Sequence, residues 1–129
     1  MFGRFAGLKY LELGRSGLRV SKIGLGTWQI GSSEWGWNRG YGVDDVVRAI
    51  ERAHELGINF VDTAEIYGGG LSEEVVGRAI RPFRDEVVVA TKVWPTHATY
   101  DGVLKACERS LKRLGVDVID LYQVHWPNP

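Results

Sequence analysis

Four short apolar runs, separated by three segments of helical spacing, constrain this chain more than any other feature. The runs cover residues 23–26, 58–61, 87–90 and 118–124. Val87, Val88, Val89 and Ala90 are apolar without interruption, the mark of a strand buried on both faces. Val46, Val47, Ile50, Ala53 and Leu56 form the first helical stripe, which Gly57 stops. Val75, Val76, Ala79 and Ile80 form the second, and Pro82 prevents its extension. Val103, Leu104, Cys107, Leu111 and Leu114 form the third, ended by Gly115. Asp44 and Ser72 stand where N-caps belong, and Glu73 and Glu74 suit a first helical turn. Ahead of all this, two runs flank Gly14-Arg15-Ser16-Gly17, a hairpin turn. A hairpin followed by βαβαβαβ implies a parallel sheet with right-handed crossovers. No linker divides residues 1–129, so a single α/β domain is expected.

Successive parallel strands bring their carboxyl ends to one edge, where such folds place their chemistry. That edge receives Thr27 and Trp28, then Asp62 and Tyr67, then Lys92 and Trp94, then His125 and Trp126. A charge at the end of a buried strand needs partners. The plain reading is an ion pair between Asp62 and Lys92 and nothing more. The richer reading is a proton-transfer device. A phenol is a poor acid at neutral pH, and a nearby ammonium favours its phenolate. A carboxylate behind the ammonium holds it charged, and an imidazole can orient a substrate oxygen. Tyr67 then serves as acid, Lys92 as tuner, Asp62 as anchor and His125 as orienter. Trp28, Trp94 and Trp126 would wall a planar ligand.

Composition excludes several other classes. The formal net charge is zero, so no basic excess points to nucleic acid. The apolar runs are strand-sized, so no membrane span is expected. Residues 1–7 lack a long apolar core and receive no function. The lone Cys107 rules out an internal disulfide and fits a reducing, cytoplasmic setting; it is read as core. His54, His97 and His125 lack ligand spacing, so no metal is expected. His54 is read onto a polar helix face. Trp35 and Trp37 lie in the first long loop and border either a substrate or the end of the sheet.

The motifs together resemble the aldo-keto reductase family. FVDTAEIYG followed by GLSEEVVGRAI is similar to the family's signature around its aspartate and tyrosine. VVVATKVWP resembles its lysine strand, IDLYQVHWP its histidine strand, and LGRSGLRVSKIGLGTWQIG its hairpin and first strand. The resemblance implies a TIM-type (β/α)8 barrel, here the N-terminal half, that binds NADP(H) without a Rossmann domain. It implies that Asp62, Tyr67, Lys92 and His125 are the catalytic tetrad. It implies that Gly26, Thr27, Trp28 and Asp62 lie beside the nicotinamide. The implied reaction reduces an aldehyde or ketone to an alcohol, with hydride from the nicotinamide and a proton from Tyr67.

A full barrel takes roughly 250 residues. The domain is therefore expected to stop after the fourth barrel strand, with most of the cofactor site elsewhere. Two copies, or this chain with a C-terminal half, would close the open sheet. Three rivals stand beside the reductase. A Schiff-base lyase would use Lys92 as nucleophile. A metal hydrolase would need histidine pairs that the strand ends lack. A cofactor-sensing or interaction subunit would keep the barrel and the tetrad without rapid turnover.

Overall fold

The turn at residues 14–17 folds the chain back on itself. β1 (Tyr10–Glu12) pairs antiparallel with β2 (Arg19–Ser21), with Tyr10 opposite Ser21. Leu13 N donates to Leu18 O at 2.8 Å to close the turn. Gly14 and Gly17 take positive φ of 56° and 76°, which residues with a Cβ avoid. The computed structural model describes residues 7–128, so residues 1–6 of the expected extension lie outside the described residues.

A second sheet follows. Its elements are β3 (Leu25–Gly26), α1 (Val43–Glu55), β4 (Phe60–Asp62), α2 (Leu71–Ile80), β5 (Val88–Val93), α3 (Tyr100–Leu114) and β6 (Leu121–Val124). The strands lie in the order β3-β4-β5-β6, all parallel, so each crossover returns next door. The expected hairpin, four parallel strands and three intervening helices are all present. Asn59, just before β4, clamps the hairpin to the sheet. Ser21 N donates to its Oδ1 at 2.7 Å, and its Nδ2 donates to Arg19 O at 3.0 Å. The hairpin therefore sits at the amino ends of the strands, opposite the rim.

Register decides which side chains share a face. Asp62 pairs with Ala90, and Lys92 pairs with Gln123. Strand side chains alternate, so Asp62, Ala90, Lys92, Gln123 and His125 fall on one face. Val61 and Val89 fall on the other and pack under the helices with Ile50, Val76, Ala79, Ile80, Val87 and Leu114. A second apolar cluster joins Ile30, Trp37 and Val75 at the carboxyl ends of the strands. Burial of this helix-side face is the main driving force for the layer.

Several local expectations are corrected. α1 begins at Val43, and Asp44 does not cap it; Asp45 Oδ2 accepts from Gly42 N at 2.8 Å instead. The cap of α2 lies two residues earlier, at Gly70, and the Ser72 hydroxyl bonds to Thr27 and Thr63 instead. Glu73 lies in the first turn of α2 as expected, and it is fully buried there. His54 is not simply on the surface: its ring stacks on Phe83 at 3.9 Å, and Nε2 lies 2.9 Å from Glu86 Oε2. Cys107 is only half-buried. Among the described residues, no helix is long and apolar enough to cross a membrane.

Candidate active site

β4 delivers Asp62 to the rim and β5 delivers Lys92 one rung higher on the same face. Lys92 Nζ donates to Asp62 Oδ2 and to Thr63 O, each at 2.7 Å. It also reaches Tyr67 Oη at 3.4 Å. An ammonium has three donors, and all three are used. The Lys92 side chain is 15% exposed and that of Asp62 37%, so the pair opens to solvent on the carboxylate side.

Tyr67 is placed by the glycines that follow it. Residues Tyr67–Gly70 form a tight turn in which Gly68 takes φ 58°. A Cβ on Gly68 would lie 2.5 Å from Ile30 O. The loops after β3 and β4 thus touch backbone to backbone, and this close approach swings the phenol over Lys92. The ammonium lies 5.0 Å from the centre of the Tyr67 ring.

His125 extends the β5–β6 ladder through a bond from its N to Val93 O at 3.0 Å. Its ring stands edge-on to Tyr67 at 5.8 Å, to Trp94 at 5.3 Å and to Trp126 at 4.8 Å. Its Nδ1 is buried without a hydrogen-bond partner among the described residues. Burial, and then the Lys92 charge, push its pKa below the usual histidine value, against a smaller pull from Asp62 and Glu65. The imidazole is therefore neutral at neutral pH.

The aromatic residues divide into two groups. Trp94 and Trp126 pack together at 4.8 Å beside His125. Trp28 is half-exposed and packs on Trp35 at 4.6 Å. Thr27 is buried, and its hydroxyl donates to Asp62 O at 2.8 Å. Gly26 faces open space. Trp37 packs against Tyr41 and belongs to the core rather than the rim. Among the described residues, no cluster of His, Cys, Asp or Glu could hold a metal ion.

The model of the Aldo/keto reductase family matches residues 22–129. The chain belongs to that family. An oxidoreductase of Mycobacterium tuberculosis is 49% identical over 95% of this chain, which spans 38% of that protein. The aldo-keto reductase YhdN of Bacillus subtilis is 43% identical over 95% of the chain, which spans 39% of it. The crystal structure of an aldo-keto reductase from Klebsiella pneumoniae in complex with NADPH superposes with a TM-score of 0.81 at 39% identity. That match covers 95% of this chain and 40% of the solved one. This aldo-keto reductase chain thus spans about two fifths of the relatives it matches, and its sheet is the N-terminal half of their (β/α)8 barrel.

Three buried polar groups that the sequence reading missed hold this reductase-family rim in place. Ser72 Oγ donates to Thr27 O at 3.0 Å and lies 2.9 Å from both Thr27 Oγ1 and Thr63 Oγ1. It links the first turn of α2 to the ends of β3 and β4. Glu73 accepts from Thr91 Oγ1 and from Arg113 Nε, each at 2.6 Å. A signal was available, since Glu73 lies at helical spacing from Val76 and Ile80 on the inward stripe. Glu65 is the third. It sits between Asp62 and Tyr67 with only 6% of its side chain exposed. Nothing in its spacing announced that burial.

Proposed function

We propose that this rim performs the proton-transfer half of an NADP(H)-dependent reduction of an aldehyde or ketone to an alcohol. The observation that carries the reading is Lys92 Nζ, 2.7 Å from Asp62 and 3.4 Å from Tyr67. Tyr67 Oη accepts from the ammonium, which leaves its own proton free for a substrate oxygen. As that proton departs, the ammonium stabilises the phenolate left behind. Asp62 keeps the ammonium charged and aimed. The neutral His125 ring, edge-on to Tyr67, offers an N–H to the same carbonyl oxygen and so orients it. Trp94 and Trp126 exclude water from that side.

The residues fit the nicotinamide end of the cofactor. Gly26 leaves open space beside the rim, and Trp28 is half-exposed next to it. The outward side of Asp62 is a polar group still open to a ligand. Gly26, Thr27, Trp28 and Asp62 would hold that end. The nicotinamide, when bound, supplies the hydride that the carbonyl carbon takes up. The remaining cofactor contacts are assigned to strands that complete the barrel, from further chain, a second copy or a separate C-terminal half. The lone Cys107 favours a cytoplasmic setting.

Tryptophan fluorescence during NADPH titration, followed by aldehyde turnover in wild type and Tyr67→Phe, tests the reading on the completed barrel. Saturable quenching, and turnover that Tyr67→Phe removes, are expected. Saturable binding without turnover would leave a cofactor-sensing subunit instead. Turnover that survives Tyr67→Phe rejects the assigned acid.

A further inference from the structure

Glu65 is the most buried carboxylate of the rim loop, and none of the four proposed catalytic residues touches its side chain. Burying a carboxylate is costly unless strong hydrogen bonds offset it. Trp94 N donates to its Oε1 at 2.6 Å, and His97 Nδ1 lies 2.8 Å from the same oxygen. Its Oε2 is 4.0 Å from an Arg109 nitrogen. These contacts place it among the groups that shape the site.

The backbone shows what the side chain does. Beyond β4, Thr63 N donates to Ala90 O at 2.9 Å and Glu65 N donates to Lys92 O at 3.3 Å. Both bonds keep the donor pattern of a parallel ladder past the end of β4, while Thr63 O between them accepts from Lys92 Nζ. The next rung would bring Trp94 N to the Glu65 carbonyl. By then the chain has turned away toward Tyr67, through a bond from Tyr67 N to Ala64 O at 3.2 Å. Trp94 N meets the Glu65 carboxylate instead. We infer that Glu65 is a positioning residue: its side chain supplies the rung the backbone abandons, and so fixes Trp94, and through it His125, against Tyr67. The loop bearing Tyr67 can leave the sheet while the chain after Lys92 stays extended as far as Trp94. His97 is drawn into the same clamp.

This inference rests on the proton-transfer reading above, and its test separates the two. Glu65→Asp keeps the charge but loses the reach. Glu65→Gln keeps the reach but loses the charge. Hydrogen exchange of the Trp94 amide, in this chain without cofactor, should quicken about tenfold in Glu65→Asp. In Glu65→Gln it should stay within about threefold of wild type. In the completed barrel, kcat should fall in Glu65→Asp at constant KM, and Glu65→Gln should restore it. Equal Trp94 exchange in wild type and Glu65→Asp overturns the inference, as does equally rapid exchange in both variants. Turnover that survives Tyr67→Phe sinks the proton-transfer reading but leaves the exchange result standing.

Discussion

Lys92 Nζ lies 2.7 Å from Asp62 Oδ2 because register puts the two residues one rung apart on the same face of adjacent strands. Neither side chain needs an unusual backbone to meet the other. The third contact, to Tyr67 at 3.4 Å, depends on the glycine turn. Lys92→Met should remove the ammonium from both partners at once. Turnover of the completed barrel should drop at least about 100-fold, the usual scale for losing control of a catalytic proton. Stability should fall by only about 1–2 kcal/mol, since Asp62 keeps access to water. A steady-state assay beside a urea melt measures both, and a large stability loss with intact turnover would reverse the assignment.

Glu73 and Arg113 predict an asymmetry. Glu73 is fully buried, whereas the Arg113 side chain is 21% exposed. Arg113→Ala strands a buried carboxylate and should cost about 3–5 kcal/mol. Glu73→Gln leaves an acceptor for Thr91 and an arginine that can reach water, so its cost should be smaller. Equal shifts of the urea midpoint in the two variants would contradict this account.

The parallel sheet and the convergence of Asp62, Tyr67, Lys92 and His125 were legible because period and order alone encode them. Apolar runs ending in polar residues, taken with parallel topology, put those side chains at one edge. Three things were hidden, each a matter of tertiary packing. Ser72 looked like a cap because caps are serines, yet its hydroxyl is spent on Thr27 and Thr63. Glu65 carries no spacing signal, and only the departure of the backbone at Ala64 gives its carboxylate a task. Trp28 was grouped with Trp94 and Trp126 by strand position, but its indole finds Trp35 in the loop that follows it.

Gly77 marks where α2 and α3 meet. A Cβ there would lie 2.1 Å from Leu114 O, a backbone atom that cannot swing aside. Gly77→Ala should therefore force the helices apart and cost about 1–3 kcal/mol or more, despite alanine's better helix propensity. Gly40, where a Cβ meets nothing within 4 Å, is the control. Gly40→Ala should leave the thermal midpoint close to wild type. A Gly77→Ala protein as stable as Gly40→Ala would show that the contact between helices is looser than described.

His125 should make stability depend on pH. Burial, then Lys92, lower its pKa from 6.5 in the folded chain. The unfolded chain therefore takes up the proton more readily than the folded one. The ring's contribution is complete above about pH 6.5 and is lost as pH falls from there toward the lower folded value. His125→Phe removes the titrating group while keeping an aromatic ring among Tyr67, Trp94 and Trp126. Between about pH 6.5 and 5, the wild-type unfolding free energy should fall more steeply than that of His125→Phe. Denaturant melts at several pH values give both slopes. Parallel slopes would mean that His125 protonates freely in the folded state, and the neutral orienting imidazole would have to be abandoned.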